Sequence, residues 1–291
     1  MKIQTYSIVS GTIACDGCCP YCVSKMTPAQ GIGSVPLEIH WRNFDKACRF
    51  AKDSVVSTVL ITGKGEPTLF PGQISDYLEK LRGYNFPFIE LQTNGMRLFQ
   101  KKEEYRSHLE RWYELGLNTI AISIAHYDNR QNQRIYQPKG PYMDLSGLIN
   151  YLHSLDFSIR LSCVIFKGGI DNVKDLESLI DFAQDYHVEQ LSIRPVAAPS
   201  GSEDPGVAKW VIEHRLDEKI HISPIRNFLS EKGREVMRLV HGAVIYDVGG
   251  QNICLTNALT SSASDEEVRQ LIFFPDGHLR YDWQYPGAIL L

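Results

Sequence analysis

The stretch CDGCCPYC, Cys15 to Cys22, puts four thiols into a single short loop. The chain has seven cysteines, an odd number, so this crowding points to metal or redox chemistry in a reducing compartment rather than to a disulfide framework. Two groupings fit the same letters. As abutting CxxC units, Cys15/Cys18 and Cys19/Cys22 would offer four thiolates to a zinc ion, although two halves with no residue between them strain to wrap one tetrahedron. As CxxxCxxC, Cys15, Cys19 and Cys22 would hold three corners of a [4Fe–4S] cube and leave the fourth iron open to a ligand, with Cys18 a bystander. Four more stretches carry groups capable of chemistry: TGKGEPT (62–68), LQTNG (91–95), ISIAHYD (122–128) and VIFKGG (164–169).

These stretches are spaced by a regular alternation. Strand-like runs at 3–10, 56–62, 88–93, 117–124, 158–166 and 189–196 alternate with helical patterns at 38–53, 72–82, 101–115, 144–155 and 173–186. Such repeated βα units predict an α/β fold with a parallel sheet, its near-continuous apolar strands covered by helices on at least one face. Each chemistry-bearing stretch follows its strand directly. In parallel sheets, ligands gather at the carboxyl ends of the strands, so the stretches should line one pocket.

The remaining sequence narrows the class. With 43% apolar and 22% charged residues in 291, the chain is an ordinary globular protein. A net charge of −4 gives no basic footprint, which makes nucleic acid an unlikely partner. No apolar run is long enough to cross a membrane and no signal peptide is evident, so a cytoplasmic location is expected.

The cysteine loop resembles the signature of the radical SAM enzymes: Cys15-x3-Cys19-x2-Cys22, with the aromatic Tyr21 before the third cysteine. TGKGEPT is similar to that family's GGE motif, and TNG and the two later stretches fall where its cofactor contacts lie. The likeness covers roughly residues 1–200 and implies a partial (β/α)6 barrel core, with 201–291 as a smaller extension capping the pocket. It implies a [4Fe–4S] cluster on Cys15, Cys19 and Cys22, and S-adenosylmethionine bound at the open iron. An electron donor such as flavodoxin or ferredoxin would serve it, and a 5′-deoxyadenosyl radical would abstract hydrogen from a substrate.

Residue roles are implied in the same way. Gly63 and Gly65 would let the backbone approach the methionine end, Glu66 would receive its ammonium group, and Pro67 would fix the turn. Thr93 and Asn94 would offer polar contacts, Ser123 the ribose or carboxylate, and Arg134 or Arg130 the carboxylate. Val164 and Phe166 would flank the adenine beside Tyr21. Lys64 reads as a loop charge rather than a catalytic group, and Cys48 and Cys163 as buried apolar residues. His126 is either structural or a proton donor. Arg194 meets either an anionic substrate group or a structural ion partner.

Beyond Val196 the sequence changes character. AAPSGSEDPG reads as a loop, helical patches follow at 206–218 and 224–239, and LIFFPDGHLRYDW predicts a hairpin around Pro275-Asp276-Gly277. This outline is similar to a SPASM or Twitch extension, yet Cys254 alone cannot hold a second cluster. Redox-neutral chemistry is therefore favoured, with Tyr281, Asp282 and Trp283 near the pocket mouth. No domain precedes the cysteine loop, so no separate leader-peptide reader is expected. A small molecule, nucleotide or sugar derived, is the expected substrate. A peptide or RNA substrate, or a non-enzymatic zinc protein using all four cysteines, are the alternatives.

Overall fold

The computed structural model describes residues 2–199, 201–239, 242–256 and 267–291. Six strands follow the expected order: β1 (Lys2–Val9), β2 (Thr58–Thr62), β3 (Phe88–Thr93), β4 (Thr119–Ile124), β5 (Ser158–Ile165) and β6 (Gln190–Pro195). They pair in parallel, each with the next in sequence. The fold is thus α/β with a parallel core, and the sheet is not closed.

The strands show why one face is wet. In β5, Ile159, Leu161, Cys163 and Ile165 are fully buried, while Ser158, Arg160, Ser162 and Val164 alternate with them and are only partly covered. A pleated strand sends successive side chains to opposite faces, so the apolar set meets the helices and the polar set meets a cavity. The helix Trp41–Asp53 illustrates the dry side. Phe44, Ala47, Cys48 and Ala51 recur at helical spacing and are all buried. The Phe44 ring meets Phe273 at 5.2 Å and Tyr77 at 5.2 Å. Burying such a phenylalanine contributes roughly 1.5–3 kcal/mol. The His40 ring nitrogen accepts the Asn43 amide and caps this helix.

Later residues extend the sheet at both edges. Strand β7 (Arg234–Arg238), β8 (Val244–Val248) and β9 (Gln251–Leu255) form an antiparallel set, and β9 runs parallel to β6. Strand β10 (Glu267–Phe273) runs parallel to β1, and β11 (Leu279–Arg280) turns back antiparallel to β10. The expected hairpin is therefore present. Gly277 closes its turn at φ +81°, with a Cβ position 2.7 Å from that of His40, so both conformation and space demand glycine. Asp276 and Arg280 form a two-pronged ion pair at 2.7 and 3.0 Å, and Arg280 lies over the Phe274 ring.

Two helical expectations need correcting. The patch at 224–239 is a helix only over Ser223–Lys232; Gly233 ends it and residues 234–238 become β7. The patch at 206–218 stops at His214. In both cases pairing or a turn, rather than local propensity, decides the end. Among the described residues, no helix is long and apolar enough to cross a membrane.

Candidate active site

The cysteine loop leaves β1 and is pinned before it reaches its first thiol. Ser10 donates its amide to the Thr62 carbonyl at 2.7 Å, and Gln73 Oε1 accepts from both the Ser10 hydroxyl and the Gly11 amide. The amide of Glu66 then donates to the carbonyl of Ala14 at 2.8 Å. Gly65 allows this contact, because a Cβ there would lie 1.9 Å from the Ala14 oxygen. At Gly63 a Cβ would stand 3.1 Å from the Ser10 carbonyl oxygen. The two glycines thus let two loops cross.

Glu66 ties the segments together. Its buried carboxylate accepts from the Thr68 amide and hydroxyl and the Thr93 hydroxyl on Oε1, and from the Asn94 amide on Oε2, at 2.7–2.9 Å. A carboxylate offers about four lone-pair sites, so Oε2 keeps room for a further donor. Burial raises its pKa, against the pull of those hydrogen bonds. Glu66 buckles the end of β3 to the loop after β2. Asn94 continues the chain of contacts, donating from Nδ2 to Asp16 at 2.7 Å and, at 3.8 Å, to Cys15 Sγ.

A cavity of about 670 Å³ opens over this assembly, within the usual range for small-molecule sites. It is lined by Cys15, Cys19, Cys22, Tyr21, Gly63, Gly65, Glu66, Pro67, Thr93, Asn94, Ser123, Val164 and Arg194, so the structure brings these expected residues together. Cys18 is not among them. It is exposed, its Sγ lies 3.5 Å from Lys25 Nζ, and its amide is tied to the Tyr136 carbonyl.

Four expected residues fall outside the lining. Arg134 is exposed on the last turn of the helix Asn129–Tyr136, and Arg130 on the same helix is exposed too. Phe166 is buried behind the wall, packed on Tyr21 at 5.8 Å and Trp210 at 5.3 Å. His126 accepts the Asp128 amide on Nδ1 and serves the turn before that helix, and burial lowers its pKa.

Lys64 is a buried loop charge. It is 5% exposed, donates to the Thr27 carbonyl at 3.2 Å and to the Thr27 hydroxyl, and sits 5.7 Å over the Trp283 ring. Burial pulls its pKa down to about 8. Trp283 therefore reaches the GKGEP loop, while Tyr281 is exposed and Asp282 caps the amides of Gln284 and Tyr285. Cys48 and Cys163 are fully buried, as expected.

The sequence model of the radical SAM superfamily matches residues 9–183, more than half of the chain. The chain belongs to this superfamily. Radical SAM enzymes use a [4Fe–4S] cluster and S-adenosylmethionine, and this protein is a radical SAM enzyme. It is similar to a GTP 3′,8-cyclase of Staphylococcus haemolyticus, 27% identical over 186 residues, covering 62% of this chain and 51% of that protein. A Staphylococcus aureus GTP 3′,8-cyclase is 26% identical over 185 residues, with the same coverage. The chain thus spans about half the length of these curated relatives. In fold it is similar to Streptococcus suis SuiB bound to S-adenosylmethionine, with TM-score 0.58, 14% identity, and coverage of 96% of this chain and 58% of that one. Native anSMEcpe with bound AdoMet gives TM-score 0.56 at 12% identity, covering 99% and 77%.

The residues present suit the radical SAM cluster. Three thiols of one loop share a cavity, and among the described residues no three acidic, histidine or cysteine side chains converge on a single ion. A cube takes each thiolate on a different iron, so its sulfurs need not converge as those of a one-ion site do. Burial raises the thiol pKa of Cys15 to about 11 and pushes that of Cys19 up further. Cluster ligation must then displace protons from both.

Sequence reasoning missed Gln92, Arg160 and Ser162 in the lining, along with Thr27, Glu203 and Asp204. The signal for the strand residues was present. SIRLSCVI alternates polar and apolar residues, which marks a strand with one wet face rather than a continuously apolar one.

Proposed function

We propose that this protein reductively cleaves S-adenosylmethionine and uses the resulting radical on a small, nucleotide- or sugar-derived substrate. When bound, the cluster and S-adenosylmethionine would supply a 5′-deoxyadenosyl radical, which takes a hydrogen atom from a substrate carbon and leaves as 5′-deoxyadenosine. The observation that carries the reading is that Cys15, Cys19 and Cys22 face one cavity with the GKGEP and TNG segments while Cys18 turns to solvent. A four-thiolate zinc site needs all four cysteines together, and Cys18 is instead engaged with Lys25.

In this reading Cys15, Cys19 and Cys22 hold the cluster. Gly63, Gly65, Pro67, Thr93, Asn94, Ser123, Val164 and Tyr21 form the wall for S-adenosylmethionine, and Glu66 keeps that wall aligned with the cysteine loop. The protein's contribution is placement and exclusion of water. The relatives that act as GTP 3′,8-cyclases support a nucleotide-like substrate. A reducing cytoplasm and a flavodoxin- or ferredoxin-type electron donor complete the proposal, with residues beyond 200 shaping the substrate end.

The test is anaerobic reconstitution with iron and sulfide, addition of S-adenosylmethionine and a strong reductant, and quantification of 5′-deoxyadenosine. Product above that of a Cys15/Cys19/Cys22→Ala variant, and retained in Cys18→Ala, is the expected result. A colourless protein that takes up zinc and never iron would overturn the reading.

A further inference from the structure

The polar face of the sheet carries a group of arginines to which the cofactor reading gives no task. Arg194 lies on β6 in register with Val164, and Arg160 lies on β5, roughly 13 Å of strand below Val164. Both line the cavity. Ala121 stands between Gln92 and Arg160 in the strand register, and its small side chain lets Arg160 reach across β4 to the Glu90 carboxylate on β3. Gln92 donates to the same carboxylate oxygen at 3.0 Å.

The charges around Arg194 do not balance. Beyond burial, the charged groups that act on it most are Arg269 of β10, Arg160, the Cys254 thiol and the Glu90 carboxylate. Among the acids lining the cavity, Glu66 accepts four hydrogen bonds, three of them on Oε1, Asp204 caps the helix Pro205–His214, and Glu203 lies near enough to Lys64 to favour its charged form. Arg194 Nε and Arg160 Nε are both buried with no hydrogen-bond acceptor. An orphaned donor in a folded interior carries a desolvation cost, which Arg280 Nε also bears beside its Asp276 partner, whereas among the described residues no carboxylate forms an ion pair with Arg194. Burial together with Arg269 and Arg160 lowers the Arg194 pKa to about 10, which still leaves it charged at neutral pH.

We propose that Arg194 and Arg160 form the receptor for an anionic group of the substrate, a phosphate or a carboxylate. The proposal rests on the cavity being the active site and names the end of the substrate that the cavity holds. Guanidinium groups offer paired N–H donors that match either anion. Glu90 acts as the placeholder that keeps Arg160 oriented while the site is empty.

The experiment is calorimetric titration of the reconstituted holoenzyme with sodium pyrophosphate and, separately, with malonate, at fixed ionic strength and saturating S-adenosylmethionine. We expect saturable binding of at least one of them, weakened about tenfold or more in Arg194→Gln and Arg160→Gln. Glu90→Gln, which releases Arg160, should bind the anion more tightly than wild type. A merely structural Glu90–Arg160 pair would not produce that gain. Arg226→Gln, on an exposed arginine outside the cavity, should change nothing. A preference for pyrophosphate assigns a phosphate-bearing substrate, and a preference for malonate assigns a carboxylate.

Absence of saturable binding of either anion overturns the proposal, as does binding that survives Arg194→Gln in a variant with a wild-type melting temperature. Anion binding that vanishes when S-adenosylmethionine is added assigns the arginines to the cofactor and overturns it too. Equilibrium dialysis of S-adenosylmethionine and 5′-deoxyadenosine formation are scored separately, so failure of the cofactor reading is visible on its own.

Discussion

The amide of Glu66 donates to the carbonyl of Ala14 at 2.8 Å, across a crossing that leaves no room for a side chain at Gly65. This contact makes the cysteine loop and the loop after β2 one unit. Gly65→Ala would place a methyl group 1.9 Å from the Ala14 oxygen, and backbone cannot yield as a flexible side chain does. Overpacking of this kind costs about 1–3 kcal/mol. We expect a melting temperature a few degrees lower and loss of most cluster iron after reconstitution. An iron content equal to wild type in Gly65→Ala would show that the crossing does not set the thiol positions.

Glu66→Gln tests the buckle. A glutamine keeps one acceptor oxygen and turns an N–H2 toward donors, so either the Asn94 amide or the Thr68 and Thr93 groups lose their partner. An unsatisfied buried donor costs about 1–3 kcal/mol. S-Adenosylmethionine binding should weaken roughly in proportion, because Thr93 and Asn94 lose their anchor. Equilibrium dialysis measures this, and unchanged affinity at unchanged stability would remove Glu66 from the argument.

Cys18 separates the two metal chemistries. It is exposed and touches only Lys25 by its side chain. Surface substitutions of this type are usually within about 0.5 kcal/mol of neutral. Cys18→Ala should therefore keep its iron, its sulfide and its 5′-deoxyadenosine yield. Cys15→Ala, Cys19→Ala and Cys22→Ala should each lose nearly all three. Metal analysis beside visible absorption is sufficient.

The Asp276–Arg280 pair predicts a pH dependence. Burial alone would raise the Asp276 pKa, but hydrogen bonds from Arg280 and the His278 amide hold it below the usual carboxylate value. A depressed carboxylate contributes stability that is fully present above its unfolded pKa and is lost as pH falls through the lower folded value. Asp276→Asn removes the charge that pairs with the nearly buried Arg280 and should be destabilised at pH 7 by about 1.5–3 kcal/mol, the range for a hydrogen bond to a charged group. The gap in melting temperature between wild type and variant should narrow as pH falls from about 5 toward 2. A gap that stays constant over this range would mean that the pair is not the source.

What the sequence revealed depended on how local the deciding interaction was. Phe88–Thr93 was legible to the residue, because β-branched and apolar residues end at a TNG turn. The cysteine loop was legible as a site, but spacing left two groupings open, and the choice of Cys15, Cys19 and Cys22 came from the family resemblance. The strands at 244–255 were not, since β8 and β9 become strands by pairing with each other and with β6, a contact no local pattern announces. Direction was the other blind spot. Arg134 follows a motif closely in sequence, yet its place on a helical turn points it to solvent. Arg160 sits in no motif, yet the alternation of β5 turns it into the cavity.

The parallel pairing of β1 with β10 matches Lys2 with Glu267 and Ile8 with Phe273. The strand that launches the cysteine loop is made well before the strand that seals its outer edge. Until residues 267–273 arrive, β1 offers a row of unpaired backbone groups, and pairing over such a separation is slow. The thiols of Cys15, Cys19 and Cys22 are therefore tethered to an edge that closes only after residues 267–273 are made. A growing chain thus holds these thiols beside an unsealed edge for a period in which thiol oxidation and misassembly compete with folding.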